Sequence, residues 1–571
     1  MLTTDWVLSP RQYGLKHDRD IAVPVCSGET LDCDIFRPDA PGKFPVILSV
    51  HAYSKSDQTA PLTPIGLAMP IAHIEAGDPN FFVRRGYVHV IMNIRGTGRS
   101  SGEFGNLDDR SISEIADAIA WLAAQPWSNG RVGMFGISYF AIVQHRVAAL
   151  HPPALKCIFA PYGWNDAYRD RYYHGGILSW AFARAWIPTL DNPRFDQTHR
   201  EALGPERFRA ALDSIRNDPE LQQVPFLREV MNAADVAHHR LILDFVINQL
   251  DGPYYRERSV DFRSDKPSVP AFLGGCWGIY GLHLPGAFRA FDGWHGPKKL
   301  MIGPPIYLDR PFYQYQYESL RWFDHWLKDN DTGMMDEEPV RVFIVNTGTW
   351  KTSSSWPLPE TRWTPFYLHR DGLLSEHEFW ADEAPTSFVD SPHERGTASF
   401  TTPPMVETTE ICGPIVLTLY ASTTVNEVLW FVSLLEIDRD GSERLLTRGW
   451  LRGSQRRLDP ELSKPWQPYH THDRREPLTP GEIYKFDIEV RPYGIRLDPG
   501  KRLKLRIRTC DDERPENDLQ AIGLGHLNGA TTGVITIHHD TEHPSCLLLP
   551  VTAGNLVGTF MSGGALPLTM K

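Results

Sequence analysis

Arg131-Val-Gly-Met-Phe-Gly-Ile-Ser-Tyr-Phe-Ala-Ile142 decides the fold. Val132, Met134 and Phe135 make a short apolar run suited to a buried strand, and Ala141 to Leu150 continues with helical spacing. Gly136-Ile137-Ser138-Tyr139 therefore falls on a tight strand-to-helix turn, which lifts Ser138 above a sheet edge. A hydroxyl there stands at a helix N-terminus, where backbone N–H groups outside the helical ladder, that of Tyr139 among them, can stabilise an oxyanion. One reading is a nucleophile elbow, although G-x-S-x-G ends in Phe140 rather than Gly. The other is a serine that merely caps a helix.

The sequence upstream favours the elbow. Residues 108 to 123 are spaced as an amphipathic helix, Gln125-Pro126-Trp127-Ser128-Asn129-Gly130 forms a turn, and the strand into Ser138 follows. This run resembles the cocaine esterase and X-Pro dipeptidyl-peptidase group of α/β-hydrolases, whose members carry a helix, Gln-Pro-Trp-Ser-Asn-Gly and then a G-x-S-Y turn. The resemblance extends over nearly the whole chain. It implies an α/β-hydrolase domain, an inserted helical cap and a C-terminal β-sandwich of jelly-roll type.

At 571 residues the chain is too long for one core, and two to four domains are expected. The resemblance sets the hydrolase domain at 1–160 and 266–350, the cap at 161–265 and the jelly roll at 351–571. A net charge of −12, with no cluster of Lys and Arg to reverse it locally, disfavours nucleic acid and anionic membrane and favours a small-molecule substrate. Homo-oligomerisation stays an open alternative. The seven cysteines are scattered, odd in number and without Cys-x-x-Cys spacing, as expected of buried thiols in a reducing compartment. The N-terminus lacks a basic-then-apolar signal, and no window nears eighteen uninterrupted apolar residues. A cytoplasmic protein without cofactor or metal is the expectation.

Along the chain, 21–36 alternates as a hairpin and 44–50 is apolar enough for a sheet interior, leading into His51-Ala52-Tyr53-Ser54-Lys55. The resemblance makes Tyr53 a hydroxyl donor to the oxyanion hole; the alternative is an aromatic packed under a loop. Residues 61–80, rich in Pro, Gly and Ala, read as an irregular loop shaping a pocket wall. Residues 87–93 are a further buried strand, and Arg95-Gly-Thr-Gly-Arg-Ser-Ser-Gly102 resembles the family's Arg-Gly-x-Gly-x-Ser-x-Gly segment. It lacks the Lys-Ser/Thr of a phosphate loop, so its expected role is structural, with Arg95 bonding loop carbonyls.

After a strand at 155–160 the rhythm breaks. Aromatic residues crowd 162–186, and helical periods run through 208–227 and 236–250, as expected of a cap whose aromatic stripe is mostly its own core. Strands return at 268–275 and 298–304, and an amphipathic helix over 318–328 closes the domain, with His325 a packing residue at its end. From about residue 340 short alternating strands separated by Gly, Pro and Asp turns argue for a β-sandwich.

A serine nucleophile needs a base and an acid, which in this fold follow it in the order Ser, acid, His. The resemblance places the acid in Gly-Gly-Trp-x-Asp and the base in Gly-Pro-Trp-x-His. Here those positions read Gly274-Gly275-Cys276-Trp277-Gly278 and Gly303-Pro304-Pro305-Ile306-Tyr307. Gly278 carries no charge, and a phenol with pKa near ~10 is a poor base at neutral pH. Losing such partners costs on the order of 10⁴- to 10⁶-fold in turnover. His283 and His51 are the candidate replacement bases and Asp309 an orienting acid, with Asp166, Asp170 and His174 more remote. The expected activity is hydrolysis or transfer of an acyl group (ester, amide, lactone or thioester) on a small apolar or aromatic molecule. The rivals are a lyase, isomerase or cyclase that uses Tyr53, Ser138 and Tyr307 as donors without an acyl-enzyme, and a non-catalytic binder.

Overall fold

A computed structural model describes residues 6–59, 64–65, 69–70, 75–305, 311–378, 383–511 and 525–554. The chain divides into two compact units. One comprises Met1–Asp170, Ala185–Ala202 and Pro253–Arg341; the other comprises Arg171–Arg184, Leu203–Gly252 and Val342–Lys571.

Eight strands of the main sheet lie within the first unit: β1 (Leu15–Pro24), β2 (Thr30–Pro38), β3 (Phe44–His51), β4 (Val88–Asn93), β5 (Ser128–Phe135), β6 (Leu155–Pro161), β7 (Ala271–Cys276) and β8 (Lys298–Gly303). Their order is β1-β2-β4-β3-β5-β6-β7-β8. From β4 onward all pairings are parallel, while the β1–β2 hairpin joins β4 antiparallel. Strands buried on both faces read as mainly apolar runs, as β3 and β4 do and as β5 does from Val132 onward. Register sets Val46 against Val132, Met134 against Ile158 and Phe159 against Phe272, whose rings stack 4.3 Å apart.

Helices fill the connections: α1 (Pro79–Val83), α2 (Asp109–Ala123), α3 (Tyr139–Ala149), α4 (Leu284–Gly293) and α5 (Pro311–Lys328). Asp108 caps α2 by accepting from the Ser111 amide at 2.9 Å. Helix α5 starts seven residues before the 318–328 period and lies on β5 at Gly133, where a Cβ would stand 2.9 Å from Phe323 and 3.0 Å from Leu327. On it, Asp324 is fully buried and accepts from the Tyr87 hydroxyl at 2.5 Å and from the Ser9 amide and hydroxyl at 2.7 and 2.6 Å. Edge strand β1 is half-exposed, is broken by a bulge between Asp18 and Ile21, and carries the ion pairs Lys16–Asp39 and Arg37–Asp18.

Arg95 does not bond loop carbonyls, as the sequence led us to expect. Its buried guanidinium pairs with the Glu114 carboxylate of α2 at 2.7 Å and fills the space beside Gly102, where a Cβ would lie 2.3 Å from it. The loop carbonyls go to Arg194 instead, which donates to Gly98 O at 2.8 Å and to Ser100 O. Backbone bonds from Gly98 N to Asp191 O (2.8 Å) and from Asp191 N to Ala52 O (2.9 Å) complete this fastening. Residues 185–202 thus group with the sheet, whereas 171–184 and 203–252, from the segment expected to form the cap, group with the second unit.

The second unit combines helices with an all-β domain. The helical periods are broken where Pro219 and Pro225 begin new helices, giving Pro205–Arg216, Pro219–Gln222, Pro225–Asn232 and Arg240–Ile247. Tyr172 stacks on Phe245 at 5.2 Å, and the Tyr173 hydroxyl donates to Phe245 O at 2.7 Å. Buried Arg452 pairs with Glu220 and, at 3.2 Å, with Glu427. Strand Leu429–Ile437 falls where the alternation places it. Strand Cys546–Ala553 pairs with both Arg362–His369 and Thr409–Thr423, so this sheet closes on itself. Among the described residues no helix is long and apolar enough to cross a membrane.

Candidate active site

Strand β5 ends at Phe135, and the chain reverses into α3 through Gly136, Ile137 and Ser138. The turn is tight enough to demand glycine. Gly136 has φ +138°, and a Cβ on it would stand 2.4 Å from Phe140 Cβ and 2.8 Å from Glu75 O. Gln144 on α3 clamps the turn, donating to Gly136 O at 3.0 Å and accepting from the Phe159 amide of β6 at 3.1 Å. Ser138 is held at φ 57° and ψ −123°, a strained conformation for a residue with a side chain. Its hydroxyl makes no capping bond to α3, which disposes of the helix-cap reading. Tyr139, the first helical residue, carries an amide beyond the helical ladder.

Tyr53 approaches from the loop after β3. Its carbonyl accepts from Asn93 at 2.8 Å and its phenol oxygen from Trp186 Nε1 at 3.0 Å, with its ring centred 5.9 Å from that of Tyr139. Trp186 also stacks on Tyr139 at 6.1 Å. An N–H donated to the phenol oxygen polarises the hydroxyl and strengthens it as a donor. Trp186 came from the aromatic stripe that the sequence assigns mainly to packing; the fastening of 185–202 at Ala52 and Gly98 brings it to the site.

His51 lies in the same place but is engaged differently. Fully buried and stacked on Phe140 at 5.0 Å, it accepts the Tyr53 amide at Nδ1 from 3.0 Å, which leaves the ring proton on Nε2. Burial, reinforced by Lys55, lowers its pKa to about 3. The nitrogen that could take a proton is already bonded to the Tyr53 amide of its own loop.

The residue that sequence reasoning missed is Glu75, inside the stretch read as an irregular pocket wall. Its carbonyl accepts from the Ile137 amide at 3.1 Å, and its half-buried carboxyl, with Oε2 shielded from solvent, interacts with the Ser138 side chain. Burial raises its pKa to about 8, the Ser138 bond opposing part of that rise. Its Oε2 is buried without a hydrogen-bond partner among the described residues.

The expected acid position, Gly278, lies just beyond β7, where a Cβ would meet Pro305 O at 2.9 Å and Pro305 C at 3.0 Å. Tyr307 and Asp309 lie outside the described residues. His283 precedes α4, buried, with its ring 6.4 Å from that of Tyr162. Asp166 pairs with Arg169 at 2.8 Å and Asp170 with Arg289 of α4. His174 belongs to the second unit, where its Nδ1 meets His526 Nε2 at 2.8 Å and His526 in turn meets Asp511 at 3.0 Å.

Known proteins share this order of domains along the chain. Residues 27–306 match the family described as X-Pro dipeptidyl-peptidase (S15 family), and residues 332–548 match the X-Pro dipeptidyl-peptidase C-terminal non-catalytic domain. The chain is 26% identical to a cocaine esterase of Rhodococcus sp. (strain MB1 Bresler) over 93% of its own length and 98% of that protein's. Among solved structures it resembles a CocE/NonD family hydrolase from Staphylococcus aureus, with a TM-score of 0.78, 24% identity and coverage of 96% and 99% of the two chains. An α-amino acid ester hydrolase gives a TM-score of 0.70 at 17% identity over 95% and 98% of the chains.

Proposed function

This chain belongs to the cocaine esterase and X-Pro dipeptidyl-peptidase-like family of serine hydrolase-fold enzymes, which hydrolyse ester or peptide bonds, and on that premise we propose that it cleaves or transfers the acyl group of a small apolar or aromatic molecule through Ser138. Esters, amides, lactones and thioesters share the carbonyl this site would address. Ser138 attacks it, and the Tyr139 amide and the Tyr53 hydroxyl receive the negative charge that develops on its oxygen. Trp186 keeps the phenol aimed. Tyr53, Tyr139 and Trp186 pack as an aromatic cluster beside Ser138, which supports the choice of an apolar or aromatic substrate.

The observation carrying this reading is the Ser138 backbone. A side-chain-bearing residue at φ 57° costs on the order of 1–3 kcal/mol, and the hydroxyl makes no cap in return. Presentation of the hydroxyl to a substrate accounts for the strain. A fluorophosphonate, which forms a stable adduct only with an activated serine, should label Ser138, and Ser138→Ala should abolish both labelling and turnover of aryl esters. An unlabelled Ser138, with turnover that survives the alanine variant, would favour a reaction without an acyl-enzyme.

A further inference from the structure

Resting on the Ser138 reading, we infer that Glu75 is the general base of this enzyme, accepting the Ser138 proton directly with no histidine between them. Glu75 is tied to the elbow by its own backbone, its carbonyl accepting from Ile137 N one residue before the nucleophile, and its carboxyl reaches the Ser138 side chain. A base must lie beside the proton it takes, with bonds that tighten as substrate binds, and the Glu75 side chain lies against that of Ser138, fastened there by the backbone bond to Ile137. Its second oxygen, buried and unpartnered among the described residues, has lone pairs to spare.

An ordinary carboxylate is too weak a base for a serine hydroxyl at neutral pH. Here desolvation raises the pKa to about 8, which brings the group into the range where a general base works best. The elements packed around it add little charge. Beside the turn that carries Ser138 and Tyr139, β3 supplies His51, held neutral by burial and followed by Tyr53 and Lys55. On β4, His89 Nε2 meets Ser49 Oγ at 3.1 Å, and that hydroxyl also donates to Ala76 O. Neither neighbouring histidine therefore has to move for Glu75 to act.

The proton inventory closes. As Ser138 Oγ bonds to the acyl carbon, its proton passes to a Glu75 oxygen and the carbonyl π pair moves onto the carbonyl oxygen, held by Tyr139 N–H and Tyr53 O–H. Collapse of the adduct breaks the bond to the leaving oxygen, nitrogen or sulfur, which departs with the proton from Glu75. Water then repeats the sequence: it gives a proton to Glu75 as it adds to the acyl carbon, and Ser138 Oγ leaves with that proton. Ester and water become acid and alcohol, and Glu75 returns to its starting state.

The test is the rate of Ser138 labelling by a fluorophosphonate as a function of pH, in the full-length protein and in Glu75→Gln and Glu75→Asp. The wild-type rate should rise with pH to a midpoint near 8. Glu75→Gln, folded by circular dichroism, should label roughly 10²-fold or more slowly with a flat profile, and Glu75→Asp should keep part of the rate and the rise. Labelling of Glu75→Gln within about threefold of wild type would overturn the inference while leaving the Ser138 reading intact. So would loss of labelling in His283→Ala with Glu75→Gln unaffected. If Glu75→Gln does not fold, the wild-type profile decides: a midpoint near 8 supports Glu75, and one near ~6.5, the ordinary value for histidine, overturns it. A wild-type enzyme that neither labels nor turns over aryl esters removes the reading and the inference together.

Discussion

Position 278 shows what one side chain's absence does to its surroundings. The main chain at Pro305 occupies the volume a Cβ would need, 2.9 Å away, so the loop has closed over the place of the expected acid. Gly278→Asp should therefore not raise turnover. Main chain cannot rotate aside, and the variant should lose about 1–3 kcal/mol of stability, read as a fall in urea midpoint at unchanged m-value. A rise in kcat/KM would show that the loop yields. Ser138, Tyr53 and Tyr139 were legible in the sequence because each lies inside a short local pattern, a G-x-S turn or a strand-ending loop. Glu75 was not. It belongs to no periodic run, and its contact with Ser138 joins residues 63 positions apart through a loop without repeating character. Trp186 was hidden differently, as one aromatic among many, because only the fastening of 185–202 distinguishes it.

Among elements, the strand–turn–helix unit at β5 and α3 was readable because a short, fully buried run gives way to helical spacing within a dozen residues. The loop from Arg95 to Gly102 was recognised as structural, yet its partners lay beyond local sequence. Arg95 pairs with a carboxylate one helix away, and Arg194 arrives from a segment the sequence assigned to a cap. Glu114 is 2% exposed and also accepts from Ser27 at 2.6 Å, so it stays buried when its main partner is removed. Arg95→Met should cost about 3 kcal/mol. The double variant Arg95→Met/Glu114→Met should recover much of that loss, because the uncompensated charge goes with it. Urea unfolding of the two single variants and the double variant measures the coupling, and simple additivity would show that the pair acts as two separate charges.

For the molecule as a whole, buried ionisable groups set two opposed slopes of stability against pH. His51 and His145 have folded pKa values lowered by burial to about 3 and about 4. Their contribution is complete above the unfolded value of ~6.5 and is lost as pH falls, by about 2 kcal/mol each at pH 5. His174, in the second unit, is lowered in the same direction. Glu75 acts the other way: with its pKa raised to about 8, its favourable contribution is complete below the unfolded value of ~4.5 and declines as pH rises through 8. The advantage of Glu75→Gln over wild type should therefore grow by about 3 kcal/mol between pH 5 and 7.5, whereas His51→Asn should lessen the acid loss; urea midpoints at both pH values check each sign. The domain order along the chain was legible from its rhythm of strands and helices. The division of residues 161–265 was not, because which helix joins which body depends on tertiary contacts that leave no periodic trace. One feature of the sheet bears on how the protein behaves when concentrated. The outermost strand, β1, carries Lys16, Asp18, Arg19 and Asp20 around a bulge, so a neighbouring molecule that tried to hydrogen-bond along it would have to strip water from alternating charges on a kinked ribbon. Strand-by-strand aggregation through this border is blocked by the residues that form it.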